Sequence, residues 1–265
     1  MISLGIHGAA GRMGRRLVAL SVESEDLELT AAIDRPDAPE QGQDAGTLAG
    51  VGPLSVPLTD RLADRVDVLI DFTTPAATRA VLQRCGDLGS ALVVGTTGLT
   101  DDDHRTIDEA GGRVAVLQAP NMSLGVNLML ALAAQAARRL GDEYDIEIVE
   151  AHHRYKADAP SGTALAIAEA VCRATGREPD KVLVHGRVGD DVRRQRGQIG
   201  MHALRSGDLA GRHTISFGAI GEQLELTHLA TTRDVFAHGA LKAARWLAGR
   251  PPGRYSIADV LGLDD

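Results

Sequence analysis

The chain has 265 residues, enough for one large or two modest domains, each with its own core. A net charge of −8 argues against a general nucleic-acid surface, and 3% aromatic residues disfavour base-stacking or carbohydrate-stacking platforms. Of the 28 basic residues only Lys156, Lys181 and Lys242 are lysines, so arginine supplies ordinary surface charge and a lysine in a special place invites a reason. Cys85 and Cys172 stand alone, without metal-ligand spacing, and read as reduced thiols. No apolar run approaches ~18 residues, and Met1 leads directly into a strand pattern. The expectation is a soluble, cytoplasmic globular protein with no membrane, nucleic-acid or metal association.

The first ~120 residues alternate short apolar runs with helical periodicity, the pattern of a parallel sheet flanked by helices. Strands are predicted over Ile2–His7, Leu27–Ile33 and residues 66–72, 92–95 and 114–117. Helices are predicted over 12–21, behind Thr74-Pro75, where proline suits the first turn, and over 101–110. After Pro120 the grammar changes. A long apolar helix over 123–140 could carry the chain into a second domain. Strand-like segments follow at 144–150, 182–185, Ile199–Arg205, 213–217 and 223–229, several with the apolar–polar alternation of half-exposed antiparallel or mixed strands. Helices are expected at 161–174 and Asp234–Leu247, and the polar, arginine-rich stretch 186–200 is expected to be a mobile loop.

Gly8-Ala9-Ala10-Gly11-Arg12-Met13-Gly14 lies between the first strand and the first helix. Gly11 and Gly14 take the second and third places of a dinucleotide fingerprint, while the first glycine is displaced by one position to Gly8. Glycine permits a sharp turn and close approach to a pyrophosphate, whose charge meets free N–H groups at the helix start. Asp34 follows Gly14 at the distance where an acid grips ribose hydroxyls. Arg35, next to it, could take a 2′-phosphate, so NADH and NADPH both stay open. Asp71-Phe72-Thr73, Gly95-Thr96-Thr97-Gly98 and Ala119-Pro120-Asn121 end later strands on the same predicted sheet edge, where ligands sit in such folds.

The most informative stretch runs from Glu147 to Ala164, EIVEAHHRYKADAPSGTA. His152, His153, Arg154 and Lys156 concentrate positive charge in an acidic chain, just after an apolar strand. Pro160-Ser161-Gly162-Thr163 then opens a helix: Ser161 or Thr163 could cap it, or the N–H groups of Gly162 and Thr163 could hold a carboxylate. Such charge suits a small dianionic substrate. Glu147 and Glu150 read as counter-charges and Asp158 as a group that orients Lys156 or its loop. Arg205, Asp208, His213 and Arg233 stay open between pocket, interface and surface.

Across essentially its whole length the chain resembles the dihydrodipicolinate reductase (4-hydroxy-tetrahydrodipicolinate reductase) family of lysine and diaminopimelate biosynthesis. The resemblance rests on the Gly8–Gly14 loop, Asp71-Phe72-Thr73, Gly95-Thr96-Thr97-Gly98, Asn121, the Glu150–Ala164 signature, Gly207-Asp208 and the region from His228 to Trp246. It implies an α/β fold, with a Rossmann-type parallel-sheet domain over 1–122, on which 234–265 returns to pack. An α+β domain with a mixed sheet over 123–233 is implied to bind substrate and assemble a homotetramer. It implies hydride transfer from NADH or NADPH to ring C4 of 4-hydroxy-tetrahydrodipicolinate with loss of water. His152 resembles the general acid/base, and Lys156 the proton donor and carboxylate contact. His153, Ser161, Gly162 and Thr163 match positions that hold substrate carboxylates. The implied nucleotide contacts are Gly8, Ala9, Ala10, Gly11, Arg12, Met13, Asp34, Arg35, Gly95, Thr96, Thr97, Ala119, Pro120, Asn121 and Met122. Met122 departs from the family, where an aromatic residue is common, and Tyr155 sits at a variable place.

The residues themselves are consistent with that chemistry, because histidine, with an unperturbed pKa near ~6.5, can supply a proton at cellular pH. Two other readings keep the architecture. One is an amino-acid or sugar dehydrogenase, which would lack the cluster from His152 to Thr163. The other is a nucleotide-sensing protein without catalysis, which should have lost His152 and Lys156.

Overall fold

The computed structural model describes residues 1–263 and divides into two units, Met1–Ser123 with Asp234–Asp265, and Leu124–Arg233. The first segment runs β1 (Ile2–His7), α1 (Arg12–Val22), β2 (Leu27–Ile33), α2 (Ala45–Ala49), β3 (Leu58–Thr59), β4 (Val68–Asp71), α3 (Pro75–Leu88), β5 (Ala91–Val94), α4 (Asp101–Gly111) and β6 (Ala115–Gln118). Local chemistry sets the helix ends. Thr74 caps α3 by accepting from Ala77 N, with Pro75 in the first turn, and Gly89 ends it in the left-handed region. Thr100 and Asp103 form a capping box at α4, and Asp103 also pairs with Arg79.

Unit 2 contains α5 (Leu124–Leu140), a 3-10 turn at Gly141–Glu143, β7 (Asp145–His152), α6 (Gly162–Thr175), α7 (Pro179–Val182), β8 (Leu183–His185), β9 (Ile199–Arg205), β10 (Gly211–Ala219) and β11 (Glu222–Ala230). Its sheet order is β11-β10-β7-β9-β8. The β10 strand is antiparallel to both β11 and β7, whereas β7–β9 and β8–β9 are parallel, so the sheet is mixed. Ile146, Ile148, Met201, Ile215 and Phe217 form one apolar face, covered by Met129, Ala133 and Ala137 of α5 and Ile167, Ala168 and Val171 of α6. Strand period two puts Glu147, Gly200 and His202 on the opposite face. The loop 186–198 has no helix or strand; its Arg187 and Arg194 reach back to Glu147.

The final segment adds α8 (Asp234–Leu247), β12 (Gly253–Tyr255) and α9 (Ile257–Leu261) to unit 1. There α8 packs against α1, β4, β5 and β6, and β12 pairs in parallel with β6. The all-parallel sheet order β12-β6-β5-β4-β1-β2-β3 reverses direction at β1, the topology of a doubly wound sheet. Five of these strands are predicted from the sequence. The other two, β3 and β12, hold two and three residues, too few to show a periodic signal. Among the described residues no helix is long and apolar enough to cross a membrane.

Candidate active site

In unit 1 the carboxyl end of β1 delivers the glycine loop. Gly8 adopts φ +83°, and a Cβ there would lie 2.7 Å from the Phe72 carbonyl oxygen. A Cβ on Gly14 would overlap the Gly8 carbonyl, so both positions demand glycine for close packing of loop on helix. Gly11 begins α1 in extended geometry with no side-chain cap. The first-turn N–H groups of the helix therefore have no internal anion, which fits a pyrophosphate.

Two cavities share Gly11, Phe72 and Thr73. One, of about 440 Å³, is also lined by Gly8, Ala10, Asp34 and Arg35. The other, of about 480 Å³, takes Arg12, Met13, Gly95, Thr96, Thr97, Pro120, Asn121 and Met122. Asp34 accepts from Ala10 N and Arg35 N, both at 2.9 Å, which locks its carboxylate against the loop. The Arg35 side chain is largely exposed, with Nε 3.4 Å from Asp37. Ala9 and Ala119 line neither cavity: both are buried and hold the strands through Ala9 N to Ile33 O at 3.0 Å and Ala119 N to Val94 O at 3.1 Å. Met122 is buried, and its carbonyl lies where a Cβ on Gly239 would stand.

A buried carboxylate organises the same rim. Asp71 accepts from Thr73 Oγ1 and Thr78 Oγ1, both at 2.6 Å, and from Thr96 Oγ1 at 2.9 Å, and its Oδ1 lies 2.8 Å from His7 Nδ1. It thereby fixes the ends of β1, β4 and β5 relative to one another. Sequence reasoning did not single out His7, or Phe236 of α8, which lines the larger cavity. His7 immediately precedes Gly8 and was findable; Phe236 lies far away in the chain and carried no signal.

In unit 2 the site grows from the end of β7. The core-facing row Ile146, Ile148, Glu150, His152 changes from aliphatic to charged at its last two members. Residues i and i+2 share a face, so the two side chains meet: His152 Nδ1 lies 2.6 Å from Glu150 Oε2. Glu150 is fully buried, accepts from Ser161 N at 3.1 Å, and receives both terminal nitrogens of Arg205, at 2.9 and 2.8 Å. Burial opposes its ionisation, yet the bonds from Arg205 and His152 outweigh that cost and hold the carboxyl below its ordinary range. His213 of β10, opposite Glu150 in the register, packs edge-on to His152 with ring centroids 5.1 Å apart. Burial, reinforced by the nearby His152, pushes its pKa down to about 4.

The loop after β7 carries the other predicted residues. Lys156 Nζ donates to both oxygens of Asp158 at 2.8 Å. His153 N donates to Leu209 O, and its Nε2 lies 3.4 Å from Arg233. Ser161 is the α6 cap, accepting from Ala164 N at 3.2 Å and lying 2.9 Å from His213 Nε2. Its hydroxyl and N–H are thus both engaged inside the protein, whereas Gly162 is exposed at the helix start. Glu150, Arg205 and His213 join the predicted His152. Strand parity distinguishes Glu150 from Glu147, which sits on the opposite face with Arg187, Arg194 and His202.

Comparison with known proteins covers nearly the whole chain in two consecutive matches. Residues 2–122 match the family described as dihydrodipicolinate reductase, N-terminus, and residues 125–261 its C-terminus. A protein of Alkalilimnicola ehrlichii named 4-hydroxy-tetrahydrodipicolinate reductase is 51% identical, over 98% of each chain. A dipicolinate-bound dihydrodipicolinate reductase from Paenisporosarcina sp. TG-14 superposes with TM-score 0.77 at 26% identity, over 97% of each chain. A probable dehydrogenase from Thermotoga maritima, with TM-score 0.61 and 13% identity over 98% of this chain and 92% of its own, shares the fold alone. With both halves matched in order, a half-identical full-length relative and a mixed-sheet unit carrying the histidine signature, the chain belongs to the dihydrodipicolinate reductase family.

Proposed function

We propose that the protein reduces 4-hydroxy-tetrahydrodipicolinate to tetrahydrodipicolinate in lysine and diaminopimelate biosynthesis, using NADH or NADPH. The observation that carries this reading is the buried Glu150–His152 pair at the end of β7, inside the signature that also holds Lys156. NAD(P)H, when bound, supplies the hydride that goes to ring C4. The net change adds that hydride and one proton, and the 4-hydroxyl leaves as water. The glycine loop, Asp34 and Arg35 would hold the nucleotide's phosphates and ribose, and Thr96, Thr97, Asn121 and Met122 its nicotinamide end.

His152 exchanges the proton through Nε2, since Nδ1 is committed to Glu150. Lys156 exchanges Asp158 for a substrate carboxylate and serves as a second proton donor. Gly162 and Thr163, at the start of α6, hold the other carboxylate with backbone N–H groups, together with His153. Ser161 supports them by capping the helix. In the same reading the protein is a cytoplasmic homotetramer joined through the sheet of unit 2. Leu204 and Leu229, each about half exposed on the face opposite α5 and α6, supply apolar surface for that contact.

The test supplies substrate with dihydrodipicolinate synthase and follows the loss of reduced-nicotinamide absorbance. Rapid decay with NADH or NADPH is expected, and no decay with either overturns the assignment. A native mass measurement showing a monomer at working concentration would contradict the tetramer.

A further inference from the structure

We propose that Glu150, held by Arg205, is the positioning residue for His152, and that Arg205 couples this pair to Lys156. The inference rests on the reading of His152 as the acid/base and adds what prepares it for that role.

Both Glu150 oxygens accept from Arg205, one also accepts from Ser161 N, and the other lies against His152 Nδ1. The carboxylate has no exposed surface, and with a guanidinium paired to it in bidentate fashion it stays an anion. An anion can only accept, so the imidazole nitrogen facing it must carry a hydrogen. Neutral His152 is therefore the Nδ1–H tautomer, with its lone pair on Nε2, and the protonated form presents Nε2–H in the same direction. Space is kept for that nitrogen: a Cβ on Gly211 would stand 3.1 Å from it.

Arg205 is the second part of the device. It lies opposite His152 in the parallel register of β7 and β9, which brings its fork under Glu150. The same terminal nitrogen that reaches Glu150 Oε1 also donates to the Asp158 backbone carbonyl at 2.6 Å. The Asp158 carboxylate in turn holds Lys156 Nζ. One guanidinium thus anchors the residue that aims His152 and the residue that parks Lys156, and lysine's shorter point charge could not bridge both.

The charged and titratable groups around the packed His152–His213 pair are Glu150 on the strand of His152, Arg205 on β9, His228 opposite His213 on β11, and Lys156 with Asp158 on the loop after β7. Of these, Glu150 is the anion within hydrogen-bond distance of the His152 imidazole. Glu150→Gln should lower kcat about 10²-fold, with KM changed less than about threefold. The pH limb that reports the protonated acid should move to lower pH, because its cation loses its anion. Glu150→Asp, which keeps the charge, should recover the position of that limb and part of kcat. Arg205→Lys should slow turnover and also raise KM, through Lys156.

A double variant separates positioning from catalysis. His152→Gln with Glu150→Gln should be no slower than His152→Gln alone, whereas a further large loss would assign Glu150 to the fold and overturn the proposal. If Glu150→Gln does not fold, nitrogen-15 shifts of His152 in the native protein decide: an Nε2–H tautomer in the neutral form refutes the arrangement, and Nδ1–H supports it. Should Glu150→Gln melt normally and keep wild-type turnover and pH profile while His152→Gln is inactive, the positioning role fails and the acid/base reading survives. Near-wild-type turnover in His152→Gln would instead remove the acid/base reading itself.

Discussion

The two units build their sites from different material. In unit 1 the groups around the two cavities are largely backbone atoms and short side chains at the carboxyl ends of parallel strands, brought close by glycines at positions 8, 11, 14 and 95. In unit 2 the clustered groups are polar and charged side chains from β7, β9, β10 and the loop after β7, joined across separations of 47 to 55 residues. The first construction fails when an atom is added, because close approach leaves no room. The second fails when an atom is removed, because a buried charge then loses its counter-charge. Each unit should therefore be broken by opposite kinds of substitution.

The largest effect is expected from Gly14→Ala. Its Cβ overlaps the Gly8 carbonyl, so the loop must leave the helix at a cost of about 3 kcal/mol. NADH and NADPH affinity, measured by fluorescence titration, should fall by at least ~10²-fold. Gly162→Ala in unit 2 is the matching control, since nothing lies within 4 Å of its Cβ. Its melting temperature should not fall, while KM for the dicarboxylate should rise about tenfold as a methyl group crowds the helix start. An unchanged KM would remove Gly162 from the carboxylate site.

A smaller loss is expected from Asp71→Asn, where the rim of unit 1 depends on a buried carboxylate. Removing an anionic acceptor shared by Thr73, Thr78 and Thr96 should cost about 1–3 kcal/mol in denaturant unfolding, and should weaken cofactor binding because Thr73 and Thr96 line the larger cavity. Wild-type stability would show that His7 and the three hydroxyls hold the rim without it.

Acid separates the units with the least effect at neutral pH. Native His213 titrates at about 4, below the ~6.5 of an unfolded histidine, so between those values the unfolded chain binds the extra proton and stability falls as pH falls. Glu150, held below its ordinary range, adds a loss at still lower pH. In unit 1, Asp44 is brought to about 2 chiefly by the Thr47 N–H, and Asp103 to about 2 chiefly by the Thr100 N–H. Those contributions are present above ~3.9 and vanish only as pH approaches 2. Hydrogen exchange across a pH series should show unit 2 losing protection between ~6.5 and 4, before unit 1. His213→Gln should flatten that early loss, and simultaneous loss in both units would refute the separation.

Much of this contrast follows from how far each signal travels along the chain. The glycine loop, the β4 and β5 ends and the helix caps at Thr74 and Thr100 are contiguous patterns, so residues a few positions apart determined them, and Asp34 was placed by its spacing from Gly14. The signature from His152 to Thr163 was legible for the same reason. So was the parity that puts Glu150 on the face of Ile146 and Ile148, once β7 is taken as a strand. What the tertiary structure alone decided was registry. Arg205 reaches Glu150 because β9 pairs in parallel with β7 and sets Arg205 opposite His152; a slip of one residue would turn its side chain to the other face. His213 meets His152 and Ser161 through the antiparallel pairing of β10, and Phe236 and β12 join unit 1 after a whole intervening unit. Local spacing encodes which groups the chain possesses and which way each strand turns them. Burial without water and bidentate pairing arise only when distant strands close, and these turn His152 from one histidine among nine into an aimed one.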